Sequence, residues 1–199
     1  GPWSLLTVLG SCQMTLVAAT AVSGRTIGLD PMETASEPLR YGTPRGRWTL
    51  AATVVGSGIV FLDGTVVNVA LPRIGEDLGA SLSGMQWTVN AYLVTLSALL
   101  LLGGSLGDRF GRRSTFVAGL AGFTAASVLC GLAPSMEWLI GARALQGVGG
   151  ALLVPGSLSI ISASFHPDDR GPAVGAWSGL SGVSTAIGPF VGGWLIDAV

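Results

Sequence analysis

Lysine is absent from this chain, and charge of either sign is scarce. Asp, Glu and Arg make up 11% of its 199 residues, where soluble domains carry about 25%. So little charge does not suit a surface that faces water, but it suits one that faces lipid. The net charge of −1 removes the electrostatic case for nucleic acid as a partner. Histidine occurs once, at His166, and cysteine twice, at Cys12 and Cys130. That inventory builds neither a zinc centre, and hence no metal site, nor a disulfide framework. Both cysteines lie in apolar runs, where free thiols behave as packing groups. No nucleophile–base set and no pair of acids is spaced for catalysis, so an enzyme is not expected. Apolar–polar alternation is missing too, which argues against a membrane β-barrel.

What the chain has in quantity is glycine, 31 residues, and long apolar runs in which glycine lets helices approach closely. A bilayer core takes about 20 apolar residues per helix. Five stretches qualify: about 50–71, 85–106, 114–133, 137–165 and 173–198. Pro72 and Pro134 are expected to close the first and third, and Pro155 to kink the fourth. The expected fold is an all-α integral membrane bundle of about five transmembrane helices. Arginines orient it. Arg40, Arg45 and Arg47 precede the first run, Arg109, Arg112 and Arg113 separate the second from the third, and Arg170 separates the fourth from the fifth. The opposite loops hold only Arg73, beside Glu76 and Asp77. Basic loops stay inside, so a multi-pass protein of the inner (plasma) membrane with a cytoplasmic N-terminal tail is expected. Trp48, Trp87, Trp138 and Trp194 fall near run ends and suit an interfacial belt.

Residues 1–47 stand apart from the bundle at 48–199. The first 22 are apolar enough for a weak further span or a signal-like stretch, but lack a basic start and a cleavage context. Met32 reads as a natural initiator, followed by a short polar tail. Residues 1–31 are either upstream or expression-derived sequence or a sixth membrane segment, and both readings stay open.

The stretch "GGSLGDRFGRR" (103–113) interrupts the apolar runs. Arg109, Arg112 and Arg113 alone would be an ordinary basic turn. Asp108 does nothing for orientation, and Gly104, Gly107 and Gly111 allow tight backbone geometry. Asp108 and Arg112 reach each other if the turn is helical. Two ionisable residues lie inside runs, Asp63 and Arg143, and such residues are functional candidates because their burial is costly. By helical rise they lie roughly 13 Å and 9 Å from the outer ends of their runs, depths compatible with an ion pair. The plainer alternatives are a structural Asp63 hydrogen-bonded to Asn68, Thr65 or neighbouring helices, and an Arg143 that snorkels outward. Arg143, Gln146, Gly147 and Gly150 share one helix face. "QGVGGA" follows no strand, so it is not read as a nucleotide loop, and "HPDDR" (166–170) reads as a solvated loop.

Four stretches together resemble the major facilitator superfamily. "GGSLGDRFGRR" resembles its loop between spans two and three, with Gly104, Asp108, Arg109, Gly111, Arg112 and Arg113 on matching positions. "LDGTVVNVALP" (62–72) resembles the first-span motif of the fourteen-span drug:proton antiporter branch. "RALQGVGGALLVP" (143–155) resembles the fourth-span motif and "GVSTAIGPFVGG" (182–193) the fifth-span antiporter motif, with Ser184 where glycine is common. They occur in the family's order across about residues 45–199.

The resemblance implies the N-terminal portion of a major-facilitator-like bundle, an incomplete half. It implies proton-coupled efflux of drugs or small amphipathic metabolites, driven by a proton gradient with no cofactor. Asp63 and Arg143 would couple protons, and the 104–113 loop would act as a conformational latch. Gly182, Gly188, Pro189, Gly192 and Gly193 would form the packed bend of the fifth span. Gly175/Gly179 and Gly188/Gly192 are small-xxx-small pairs suited to close packing. Asn68, Tyr92 and Gln146 are the candidates for a substrate path. The partners implied are the bilayer, a small amphipathic substrate, protons and the missing C-terminal half. The alternative is a truncated, non-transporting membrane protein or assembly partner.

Overall fold

The computed structural model describes residues 38–197, with side chains given as far as Trp194. The readings made of Cys12, residues 1–31 and Met32 fall outside the described residues. Five helices follow one another: α1 (Pro44–Asp77), α2 (Leu82–Phe110), α3 (Arg112–Gly131), α4 (Met136–Ser164) and α5 (Pro167–Asp197). Among the described residues the only extended pairing is an isolated parallel bridge between Leu39 and Phe165. Four of the helices, α1 to α4, are long and apolar enough to cross a membrane. The fifth is 31 residues long and falls short of that measure over its described residues.

The helix ends have local causes. Thr43 caps α1, its hydroxyl accepting from the Gly46 N–H at 3.2 Å, with Pro44 in the first turn. Ser81 and Ser135 cap α2 and α4 in the same way. Asp168 and Asp169 lie in the first turn of α5, where the helix dipole favours acids. Helix α1 does not end at Pro72 as expected. It runs through the proline to Asp77 and stops where Gly79 turns left-handed at φ +60°. There Ala80 N–H reaches Gly75 O and Gly79 N–H reaches Glu76 O, a Schellman stop.

Helix α4 likewise continues through Pro155. That proline leaves the Ala151 carbonyl without a helical donor, and the backbone of Gly103 on α2 packs against this same oxygen. The loop expected at 104–113 is also shorter than read. Asp108, Arg109 and Phe110 belong to α2, Arg112 and Arg113 to α3, and Gly111 alone breaks the helix at φ +94°.

Packing divides the helices. Helix α4 makes its broadest contacts with α2 and α3, and α1 makes its broadest with α5. A central apolar cluster of Ile59, Val60, Tyr92, Phe116, Leu120, Phe123 and Leu153 joins α1 to α4. A second, of Cys130, Ala133, Met136, Leu139 and Ala142, lies towards the α3–α4 turn. A third, of Ile161, Phe165 and Ala173, gathers Leu39, Leu50 and Trp177 around the α4–α5 turn.

The expected solvated loop at 166–170 is not one. Pro167 to Arg170 form the first turn of α5, and the chain before α1 docks on it. Leu39 N–H donates to Ser164 O at 2.8 Å and His166 N–H to Leu39 O at 3.0 Å. Tyr41 N–H donates to Asp169 at 3.1 Å. Arg40 lies 3.8 and 3.7 Å from Asp168 and Asp169.

Candidate functional site: a buried charge network between α1, α3 and α4

Asp63 and Arg143 meet inside the bundle. Arg143 Nη1 donates to Asp63 Oδ2 at 2.5 Å. Arg143 is 2% exposed and Asp63 8%, so Arg143 does not snorkel to the outer interface. A charge this deep is tolerated only when it is paired and its remaining hydrogen-bonding groups are satisfied, and the surroundings supply that. Arg143 Nη1 also donates to Gln146 Oε1 at 2.5 Å, and its Nε to Thr88 O on α2 at 3.4 Å. The guanidinium lies 4.3 Å from the centre of the Tyr92 ring, a cation–π contact in a desolvated setting. The Tyr92 hydroxyl is committed elsewhere, donating to Val60 O at 3.0 Å.

Gln146 ties the pair to a third helix. Its Nε2 donates to Asp63 Oδ1 at 2.9 Å and to Ser127 Oγ on α3 at 2.8 Å. Its Oε1 accepts from Arg143 and, at 3.7 Å, from the thiol of Cys130 on α3. Both carboxylate oxygens of Asp63 thus face donors. Ser127 and Cys130 were not picked out in the sequence as part of this group. Serine in a membrane helix is commonplace, and Cys130 had been read as plain packing.

Of the candidate path residues, Gln146 and Tyr92 are buried in this network. Asn68 is not part of it. It is exposed on α1, and its amide donates to Gly64 O one turn back at 2.7 Å. Thr65 likewise bonds its own helix, at Leu62 O. Neither Asn68 nor Thr65 therefore bonds Asp63; its partners are Arg143 and Gln146 on the neighbouring helix α4, which the structural alternative also allows.

Glycines on α4 let α2 and α3 approach it closely. A Cβ at Gly147 would collide with Thr95 and lie 2.6 Å from Tyr92 O, and one at Gly149 would lie 2.6 Å from the Phe123 nitrogen. At Gly150 it would meet Leu96 at 2.7 Å.

The other motifs are less concentrated. Asp108 and Arg112 form an ion pair at 3.4 Å, with side chains 65% and 42% exposed, and such pairs contribute about 0.5 kcal/mol. Arg112 also donates to Ser159 O on α4 at 3.3 Å. Arg109 lies over Phe110, and a Cβ at Gly104 would lie 3.8 Å from Pro155. Arg109 and Arg113 are exposed.

On α5, Gly188 packs on Thr65 and Gly192 on Val66 and Val69 of α1, while Ser184 fills the space beside Gly58. Pro189 lies within the helix. Gly182 and Gly193 have open space where a Cβ would stand, and so do Gly175 and Gly179. The expected close packing holds for Gly188/Gly192 and fails for Gly175/Gly179, because only the former face α1.

Among the described residues the apolar helices thus enclose one buried ion pair. The family model described as Major Facilitator Superfamily matches residues 53–199, and the chain belongs to that superfamily. It is 46% identical to the tetracenomycin C resistance and export protein of Streptomyces glaucescens, over 78% of this chain and 29% of that protein. It is 44% identical to a probable actinorhodin transporter of Streptomyces coelicolor, over 86% of this chain and 29% of that protein. Against the multidrug efflux pump LfrA of Mycolicibacterium smegmatis the identity is 43%, over 80% and 32%. The chain spans about three-tenths of the length of the curated relatives it matches.

Proposed function

We propose that this chain is the N-terminal bundle of an exporter that exchanges protons for drugs or small amphipathic metabolites. It would work with a second, C-terminal half in the inner (plasma) membrane, with its N-terminal tail in the cytoplasm. The observation that carries the reading is the Asp63–Arg143 pair. Asp63 is the acid placed to exchange a proton, because it is the one buried carboxylate among the described residues and it is paired with a buried arginine. The proton gradient is the energy source, and no cofactor is invoked. The Asp108–Arg112 turn and its contact with Ser159 would be the part of the latch that belongs to this bundle. The printed names of the relatives, which concern tetracenomycin C, actinorhodin and multiple drugs, support export of small organic molecules.

The test is efflux of a fluorescent amphipathic compound from cells producing the transporter that contains this bundle. It is measured with the proton gradient intact and after its collapse by an uncoupler. Asp63→Asn is expected to abolish the gradient-dependent component while leaving the protein in the membrane. Gradient-driven efflux at the unmodified rate in Asp63→Asn would remove the coupling role.

A further inference from the structure

The carboxamide of Gln146 is held by four groups of two kinds. Asp63 and Arg143 have roles set by charge, since a carboxylate only accepts and a guanidinium only donates. Ser127 and Cys130 do not, since a hydroxyl or a thiol can do either. With Asp63 ionised, one orientation of the amide satisfies every group: Nε2 towards Asp63 Oδ1 and Ser127, Oε1 towards Arg143 and Cys130.

A proton arriving from water on Asp63 Oδ1 reverses the demand at that oxygen. The new O–H must donate, yet it faces an NH2 group 2.9 Å away. Turning the amide over brings Oε1 to that O–H. Both α3 groups can follow. The Ser127 hydroxyl becomes the donor to Oε1, giving up its present acceptor, Phe123 O at 2.9 Å. The Cys130 sulfur becomes an acceptor. Nε2 then faces the guanidinium, which cannot accept, so Arg143 must move off Gln146 as it loses its counter-charge.

We propose that Gln146 is a positioning residue that turns over when Asp63 takes up a proton, with Ser127 and Cys130 as its reversible partners, so that helix α3 registers the charge of Asp63. The proposal rests on the reading of Asp63 as the proton-accepting group. The ionisable groups facing Asp63 are Arg143 from α4, Tyr92 from α2 and Cys130 from α3. Helix α5 carries none between Arg170 and Asp197.

The test is infrared difference spectroscopy against pH on the whole transporter that contains this bundle, in lipid nanodiscs, with every cysteine except Cys130 replaced by serine. Two bands are followed: the carboxylic acid C=O stretch that is lost in Asp63→Asn, and the Cys130 S–H stretch, which falls in a window clear of other protein bands. The S–H band is expected to move to higher frequency with the same midpoint as the C=O band, because the thiol gives up its acceptor. In Gln146→Leu the S–H band should no longer follow the C=O band. An S–H band that stays fixed while Asp63 titrates overturns the proposal, as does an S–H band that still follows in Gln146→Leu. The first comparison needs no change at Gln146, so it stands if that variant fails to fold. If no titrating C=O band is lost in Asp63→Asn, the proton-accepting role of Asp63 fails, and the relay with it.

Discussion

Removing either charge of the Asp63–Arg143 pair strands the other in a setting with almost no water. Arg143→Met is therefore expected to cost about 3–5 kcal/mol, read as a lowered thermal midpoint in detergent. Asp63→Asn combined with Arg143→Met should recover part of that loss, because no charge is left unpaired. If the double variant is as damaged as the sum of the two single ones, the pair is not the source of the cost. Asp63 and Arg143 could be found in the sequence because a charge in an apolar run is conspicuous. Ser127 and Cys130 could not. Hydroxyls of Ser and Thr in these helices mostly bond their own backbone, as Thr124 does with Leu120 O and Ser105 with Leu102 O. Only the register of α3 against α4 singles out Ser127. Asn68 misled for the converse reason: it matched a motif, yet its amide is satisfied within its own turn.

Between helices, glycine has two behaviours that composition cannot separate. Gly149 and Gly188 face a neighbour at contact distance, whereas Gly122 and Gly141 face open space. Gly149→Ala and Gly188→Ala are expected to lower the thermal midpoint by an overpacking cost of about 1–3 kcal/mol. Gly122→Ala and Gly141→Ala should hold or raise it, since alanine gains up to about 1 kcal/mol over glycine in a helix interior. A uniform response across the four would contradict the packing described. The existence of the helices was legible from apolar run length, and so was the end of α3, which stops at Gly131 shortly before Pro134. The end of α1 was not: it runs through Pro72, and its stop is a left-handed glycine with its own hydrogen bonds. The Gly111 break was hidden inside a motif read as a loop.

Across the whole chain, the segment before α1 is fastened to the α4–α5 turn by two backbone hydrogen bonds and by Asp169. Asp169→Ala is expected to speed amide hydrogen exchange at Tyr41 and His166, with the amides of α2 and α3 unaffected. Equal exchange in the two proteins would show that the acid contributes nothing there. No sequence pattern announced this fastening, because its core is main-chain pairing between residues more than a hundred positions apart.

Where α1 meets α4, the buried side chains include hydroxyls as well as charges. Ser57 donates to Ser157 at 2.7 Å, and Trp177 of α5 donates to Ser57 at 3.1 Å. Interlocked branched side chains must climb over one another to slide. Hydroxyl partners can instead exchange one acceptor for the next carbonyl along, at little cost. The boundary between the α1/α5 pair and the α2/α3/α4 trio thus carries exchangeable hydroxyl contacts at Ser57 and Ser157 and a fixed point at the Asp63–Arg143 pair.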